Sequence, residues 1–137
     1  MARFEGGCLC GAVRYEADGE PAVVAVCHCR TCQKVSGASY SYNLGMPTDA
    51  VRITGETHAV YEDRSGASGE PFERHFCSRC GSSIAGRGNA YEGLTFLKAG
   101  TLDDPEAVKP SVHIWGSEKL SWVPVEEGSA VFEKNPG

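Results

Sequence analysis

The chain has 137 residues, 41% of them apolar, with seven cysteines and a formal net charge of −5. No apolar run approaches the roughly 18 residues of a membrane-spanning helix, and the opening MARFEGGCLC lacks the apolar stretch of a secretory leader, so a cytoplasmic protein that stays out of the membrane is expected. The 13 lysines and arginines are scattered among 18 acids rather than gathered into a stripe, which argues against a nucleic-acid partner.

In chain order, GAVRYEA from Gly11 sets Val13, Tyr15 and Ala17 against Ala12, Arg14 and Glu16, the period of a half-buried strand. AVVAV (22–26), SYSYNL (39–44), VRIT (51–54), HAVYE (58–62), LTFLKA (94–99), VHIW (112–115) and LSWV (120–123) are short segments rich in β-branched and aromatic residues, and each predicts a strand. Only RTCQKVS (30–36) and DDPEAV (103–108) suit short helices. The small, polar stretch EDRSGASGEP (62–71) predicts a mobile hairpin tip or flap. A mainly β protein follows, and at this length residues 1–137 are expected to form one domain.

Seven cysteines are an odd count, and with no export signal they point to metal or catalysis rather than to a disulfide scaffold. They fall into three clusters: Cys8-x-Cys10, Cys27-x-Cys29-x-x-Cys32 and Cys77-x-x-Cys80. In extended chain, residues two apart point to the same side, so Cys8 and Cys10 can share an ion, as can Cys27 and Cys29, while His28 between them faces away. Cys-x-x-Cys suits a tight turn, and Gly81 after Cys80 eases a positive φ. Two doublets make the four thiolates of a closed zinc site, so Cys8, Cys10, Cys77 and Cys80 are the expected structural set; the competing account is two unrelated pairs of buried thiols. The triplet then holds three ligands, the number typical of a catalytic zinc with a position left for water or substrate. Closure by His28, His75 or His113, or no ion at all, stand beside that reading. Three thiolates make a zinc ion a poor generator of hydroxide but a good host for a soft ligand such as a substrate thiol.

GGCLCGAVRY, CHCRTCQKVSG, FCSRCGSSI and HIWGSEKLSW occur in the order seen in the glutathione-dependent formaldehyde-activating enzyme family, which includes centromere protein V, and the chain resembles that family over nearly its whole length. The resemblance implies an Mss4-like fold, or β-tent, of sheets joined by zinc-binding hairpins. It implies two zinc ions per chain, a structural one on Cys8, Cys10, Cys77 and Cys80 and a catalytic one on Cys27, Cys29 and Cys32. It also implies a carbon–sulfur lyase-type activity that joins glutathione to formaldehyde as S-(hydroxymethyl)glutathione.

Glutathione carries two carboxylates, and Arg30, Lys34, Arg64 and Arg74 are candidate partners for them; each has a solvated surface charge as its plain alternative. Gln33, Ser36 and Gly37 follow the triplet where a turn either presents donors to a substrate or is merely shaped by them. His113, Trp115 and Trp122 are expected in the core, and His75 on a strand face or behind the structural zinc. Against the enzyme stand a zinc-stabilised β-tent that only binds a protein partner, and a thiol redox switch built on the triplet.

Overall fold

The computed structural model describes residues 2–66, 68–88 and 91–135. Its strands, in chain order, are β1 (Arg3–Gly7), β2 (Arg14–Asp18), β3 (Val23–Cys27), β4 (Ser41–Pro47), β5 (Val51–Thr54), β6 (His58–Asp63), β7 (Phe72–Cys77), β8 (Ser83–Gly88), β9 (Leu94–Lys98), β10 (Val112–Ile114) and β11 (Ala130–Val131), with one α-helix, α1 (Arg30–Ser36), between β3 and β4. Strands β1, β2 and β5 form an antiparallel sheet. The other eight form a second sheet in the order β11-β10-β3-β4-β9-β8-β7-β6, antiparallel except where β10 runs parallel to β3 and β11. Neither sheet closes into a barrel, and this mainly β arrangement is of the β-tent type.

The period-2 pattern decides what each face does. Val13, Tyr15 and Ala17 are buried as their alternation predicts, and with Phe4 they meet Leu44, Met46, Leu97 and Ile84 of the large sheet to form the core. Complete burial of side chains such as Leu44, Met46 and Leu97 contributes about 1.5–3 kcal/mol each. The opposite face of the large sheet carries Val23, Ala25 and Cys27 on β3, Ser41 and Asn43 on β4, Phe96 and Lys98 on β9, and Val112 and Ile114 on β10. All nine line a cavity instead of a core.

Two glycines keep that face low. A Cβ on Gly45 would stand 2.9 Å from Val23 and 3.1 Å from the Phe96 ring, and one on Gly86 would stand 2.6 Å from the Phe72 ring. The aromatic rings lie over the glycines, and the space above the sheet stays open.

Three expectations are corrected. LSWV is no strand: Val123 N–H bonds to Leu120 C=O at 3.1 Å, Lys119 Nζ donates to the Leu120 and Val123 carbonyls, and Pro124 follows, so a turn is stabilised there and a ladder is not. Within DDPEAV only Pro105–Ala107 is helical, a single 3-10 turn capped by Asp104. Neither tryptophan is in the core: Trp122 is exposed, and Trp115 is half-buried and lines a cavity. Strands β1, β7, β8 and β11 are not among the predicted segments; β7 and β8, rich in charge and glycine, carry no β-branched run. The hairpin tip joins β6 to β7, with Ala67 outside the described residues. No helix among the described residues is long and apolar enough to cross a membrane.

Candidate metal centres

Cys8 and Cys10 sit in the turn after β1, and Cys77 and Cys80 in the turn from β7 to β8. Each turn closes on a glycine in the left-handed region, Gly11 (φ 81°) donating to Cys8 C=O at 3.1 Å and Gly81 (φ 79°) to Cys77 C=O at 2.8 Å. Leu9 N–H reaches across to Ser82 Oγ at 3.0 Å and joins the two turns. All four sulfurs lie within 4.8 Å of one another, with Cys8 to Cys10 at 3.6 Å and Cys10 to Cys77 at 3.8 Å. A tetrahedral zinc with bonds of about 2.3 Å has sulfur–sulfur edges of about 3.8 Å, so the quartet fits that ion. Polar groups surround it: Val13 N–H donates to Cys8 at 3.2 Å, and Ser82 Oγ lies 3.2 Å from Cys80 Sγ. The Ser82 hydroxyl, then its backbone N–H, hold Cys80 down to about 5.

The second cluster is built differently. Cys27 ends β3, Cys29 is the N-cap of α1 and accepts from Cys32 N–H at 3.3 Å, and Cys32 lies in the first turn of that helix. The three sulfurs also lie within 4.8 Å of one another. Sulfurs so close cannot all ionise without a cation: hydrogen bonds from Cys27 and Cys29 hold Cys32 far below the ordinary thiol range, and the same contacts, first with Cys29, push Cys27 far above it. A soft divalent ion removes the conflict, so zinc fits this donor set as well.

Among the described residues no fourth ligand joins the trio. His28 and His113 lie on the other face of the sheet, bonded to each other (Nε2 to Nδ1, 2.8 Å), and His113 Nε2 lies 2.7 Å from Glu126 Oε2. If Glu126 accepts from His113 Nε2–H, His113 Nδ1 accepts from His28 and the lone nitrogen left buried, His28 Nδ1, carries no proton. His75 stands beside the quartet, bonded to His58 at 2.7 Å and to Glu73 at 2.9 Å.

Where a fourth ligand is missing, a cavity of about 220 Å³ begins. Lys98 Nζ donates to Asn43 Oδ1 (3.0 Å), Asn43 Nδ2 to Ser41 Oγ (2.8 Å), and Ser41 to Cys32. The three donors run in series from a cation to a sulfur. Burial pushes the Lys98 ammonium down and Cys32 opposes it; no carboxylate among the described residues pairs with Lys98 within salt-bridge distance. A second cavity of about 240 Å³, lined by polar groups of the β6–β7 loop, shares Cys29, Phe72, Arg74 and Trp115 with the first. Arg74 is tied to Asp63 (Nη2 to Oδ2, 2.9 Å) and lies over the Phe72 ring. Trp115 holds a left-handed backbone (φ 57°), a strained conformation for a bulky residue, and its Nε1–H bonds to Asn135 Oδ1 at 2.9 Å.

A family model described as glutathione-dependent formaldehyde-activating enzyme matches residues 3–118, which hold both sulfur clusters. The chain belongs to that family. A Halomonas elongata protein carrying the same family designation is 32% identical over 127 residues, 90% of this chain and 81% of its own length. A Schizosaccharomyces pombe protein named as an uncharacterized lyase is 30% identical over 86 residues, 61% of this chain and 57% of its own. The crystal structure of a Rhodobacter sphaeroides protein superposes with a TM-score of 0.59 at 19% identity, over 77% of this chain and 91% of that one, a likeness of fold.

In this member of the family the seven cysteines gather into the two groups that their spacing suggests. The basic residues distribute otherwise. Arg74 lines both cavities, but Arg30, Gln33 and Lys34 line neither. Arg30 and Lys34 are exposed on α1, and Gln33 is buried with its amide donating to His28 C=O at 3.0 Å. Ser36 bonds to the Cys32 and Tyr40 carbonyls, and Gly37 (φ 64°) ends the helix, so both shape the turn. Arg64 is exposed and bonded to Glu62. Sequence reasoning missed Lys98 and Asn43; their signal, a lysine and an asparagine at polar positions of apolar strands, has meaning only once β4 and β9 are paired.

Proposed function

We propose that this chain is a zinc-dependent carbon–sulfur lyase-type enzyme that makes and breaks a thiol–aldehyde adduct, with glutathione and formaldehyde giving S-(hydroxymethyl)glutathione as its simplest case. The observation that carries the reading is the sulfur trio, one ligand short of closure, facing a cavity that also holds Lys98. The S. pombe relative's name as a lyase and the family model's description agree with it.

In this reading Cys8, Cys10, Cys77 and Cys80 hold a structural zinc, and Cys27, Cys29 and Cys32 a second one. The second zinc supplies a soft Lewis acid that favours the thiolate form of an incoming thiol. Lys98 directs its remaining N–H groups at the aldehyde oxygen, where negative charge develops as sulfur adds to the carbonyl carbon. Asn43 fixes the ammonium in place, and a preorganised donor of this kind typically contributes about 2.7–4 kcal/mol. The proton released by the thiol ends on the new hydroxyl, so the adduct forms without any other product. The polar second cavity takes the zwitterionic body of the thiol, Arg74 facing a carboxylate and Asp63 an ammonium group. Arg30 and Lys34 act as rim charges that speed the arrival of an anionic thiol, and Gln33 supports the loop that carries the trio.

Zinc K-edge X-ray absorption on metal-replete protein tests this. Two zinc ions per chain are expected, and glutathione should add one sulfur scatterer to one of them. A trio that binds no metal, or whose ion is already sealed by a fourth protein ligand, would leave the protein a binding module.

A further inference from the structure

Formaldehyde is small for the space beside the trio. That cavity encloses about 220 Å³, room for several water molecules, whereas formaldehyde has two heavy atoms. Lys98, Asn43 and Ser41 are its polar groups nearest the sulfurs; Arg74, Tyr91, Trp115 and Asn135 also line it, Arg74 tied to Asp63, and Tyr91 Oη and Trp115 Nε1 both donating to Asn135 Oδ1 at 2.6 and 2.9 Å. Ala25 of β3 and Val112 of β10, in the same cross-strand row as Asn43, and beyond them Val23 of β3 and Leu94 and Phe96 of β9 form a wall whose side chains offer neither donor nor acceptor. Strand register makes the change abrupt. Lys98 pairs with Asn43, and Asn43 with Ala25; one pleat further on, Phe96 pairs with Gly45, and Gly45 with Val23. Any side chain at Gly45 would press on Val23 and Phe96, so glycine there keeps the apolar end hollow. Water against such a wall finds few partners, and hydrocarbon gains by replacing it.

We infer that the aldehyde used by this chain carries an apolar substituent of several carbons, with its carbonyl oxygen at Lys98 and its tail against the Val23, Ala25, Val112 and Phe96 wall. The inference rests on the thiol–aldehyde reading above and names the class of its second substrate. The thiol sulfur bonds to the carbonyl carbon, the carbonyl π pair moves onto oxygen, and oxygen takes up the thiol's proton. The product is a hemithioacetal, nothing is oxidised or reduced, and the reverse step is the lyase direction. The two cavities divide the work: the polar one takes the body of the thiol, the apolar one the tail of the aldehyde, and they meet at Cys29.

S-Methyl-, S-propyl- and S-hexylglutathione are inert thioethers that keep the new carbon–sulfur bond. Titrated calorimetrically into the zinc-loaded full chain, they should bind about fourfold more tightly per added methylene until the cavity is filled, with a heat-capacity change that grows more negative. If all three bind equally, the apolar class is overturned and the thiol reading stands. If 1-hexanol binds and no glutathione thioether does, the thiol reading itself falls, and this inference with it. Val112→Phe and Leu94→Phe, which fill the wall from two different strands, should each weaken S-hexylglutathione relative to S-methylglutathione by tenfold or more. An unchanged slope in both variants would place the tail elsewhere.

Discussion

The two sulfur clusters use one chemical donor for opposite ends. The quartet draws Cys8 and Cys10 to Cys77 and Cys80, nearly seventy residues later, and surrounds its centre with backbone and hydroxyl groups. The trio comes from six consecutive residues, ties no distant segments together, and opens onto a cavity. A site that joins far parts of the chain offsets loop-closure entropy and stabilises the fold. A site made from one local segment contributes little of that kind, and this one lies at the edge of a cavity.

The largest break in this comparison is expected from Cys77→Ser. Structural zinc contributes about 10–16 kcal/mol in zinc-finger peptides, as much as the whole stability of a typical domain, so this variant should lose its cooperative thermal transition. Cys29→Ser should retain a cooperative transition, bind one zinc instead of two by mass spectrometry, and lose adduct turnover by at least a hundredfold. Lys98→Met should keep both ions and lower kcat by about 10²–10³, with KM for the thiol little changed; a KM effect alone would make Lys98 a carboxylate contact. Gly86→Ala should cost about 1–3 kcal/mol in chemical denaturation, because the new methyl displaces the Phe72 ring at the junction of the two cavities.

The smallest effect concerns the loop wall. The Ser65 hydroxyl and N–H, with Arg74, hold the Asp63 carboxyl below the ordinary aspartate range. A folded-state value below the unfolded one stabilises the protein above the ordinary aspartate range, and that stabilisation is lost as pH falls through the lowered value. Asp63→Asn should therefore be less stable than the parent near neutral pH, by roughly 1–2 kcal/mol. The difference should vanish in the acid limb of a thermal-stability profile.

Much of this was legible in the sequence because it is local. Alternation in GAVRYEA placed Val13, Tyr15 and Ala17 inside, the spacing within each cysteine cluster set which sulfurs could meet, and RTCQKVS marked the helix at its observed bounds. LSWV misled because β propensity says nothing of the turn that Lys119 and Pro124 enforce. Short periods also could not show which face of the large sheet would pack and which would stay hollow.

That choice was tertiary. The small sheet covers one face only, so alternate residues of the same strands became core on one side and cavity lining on the other. Lys98 stands 66 positions from Cys32, and only the pairing of β9 with β4 brings its ammonium, through Asn43 and Ser41, to that sulfur. The sequence by itself determined the spacing within each cysteine cluster and the strand periods, since both depend on neighbours along the chain. The opening beside the trio and the cation facing it were decided by the fold, because they depend on contacts between strands far apart in the chain.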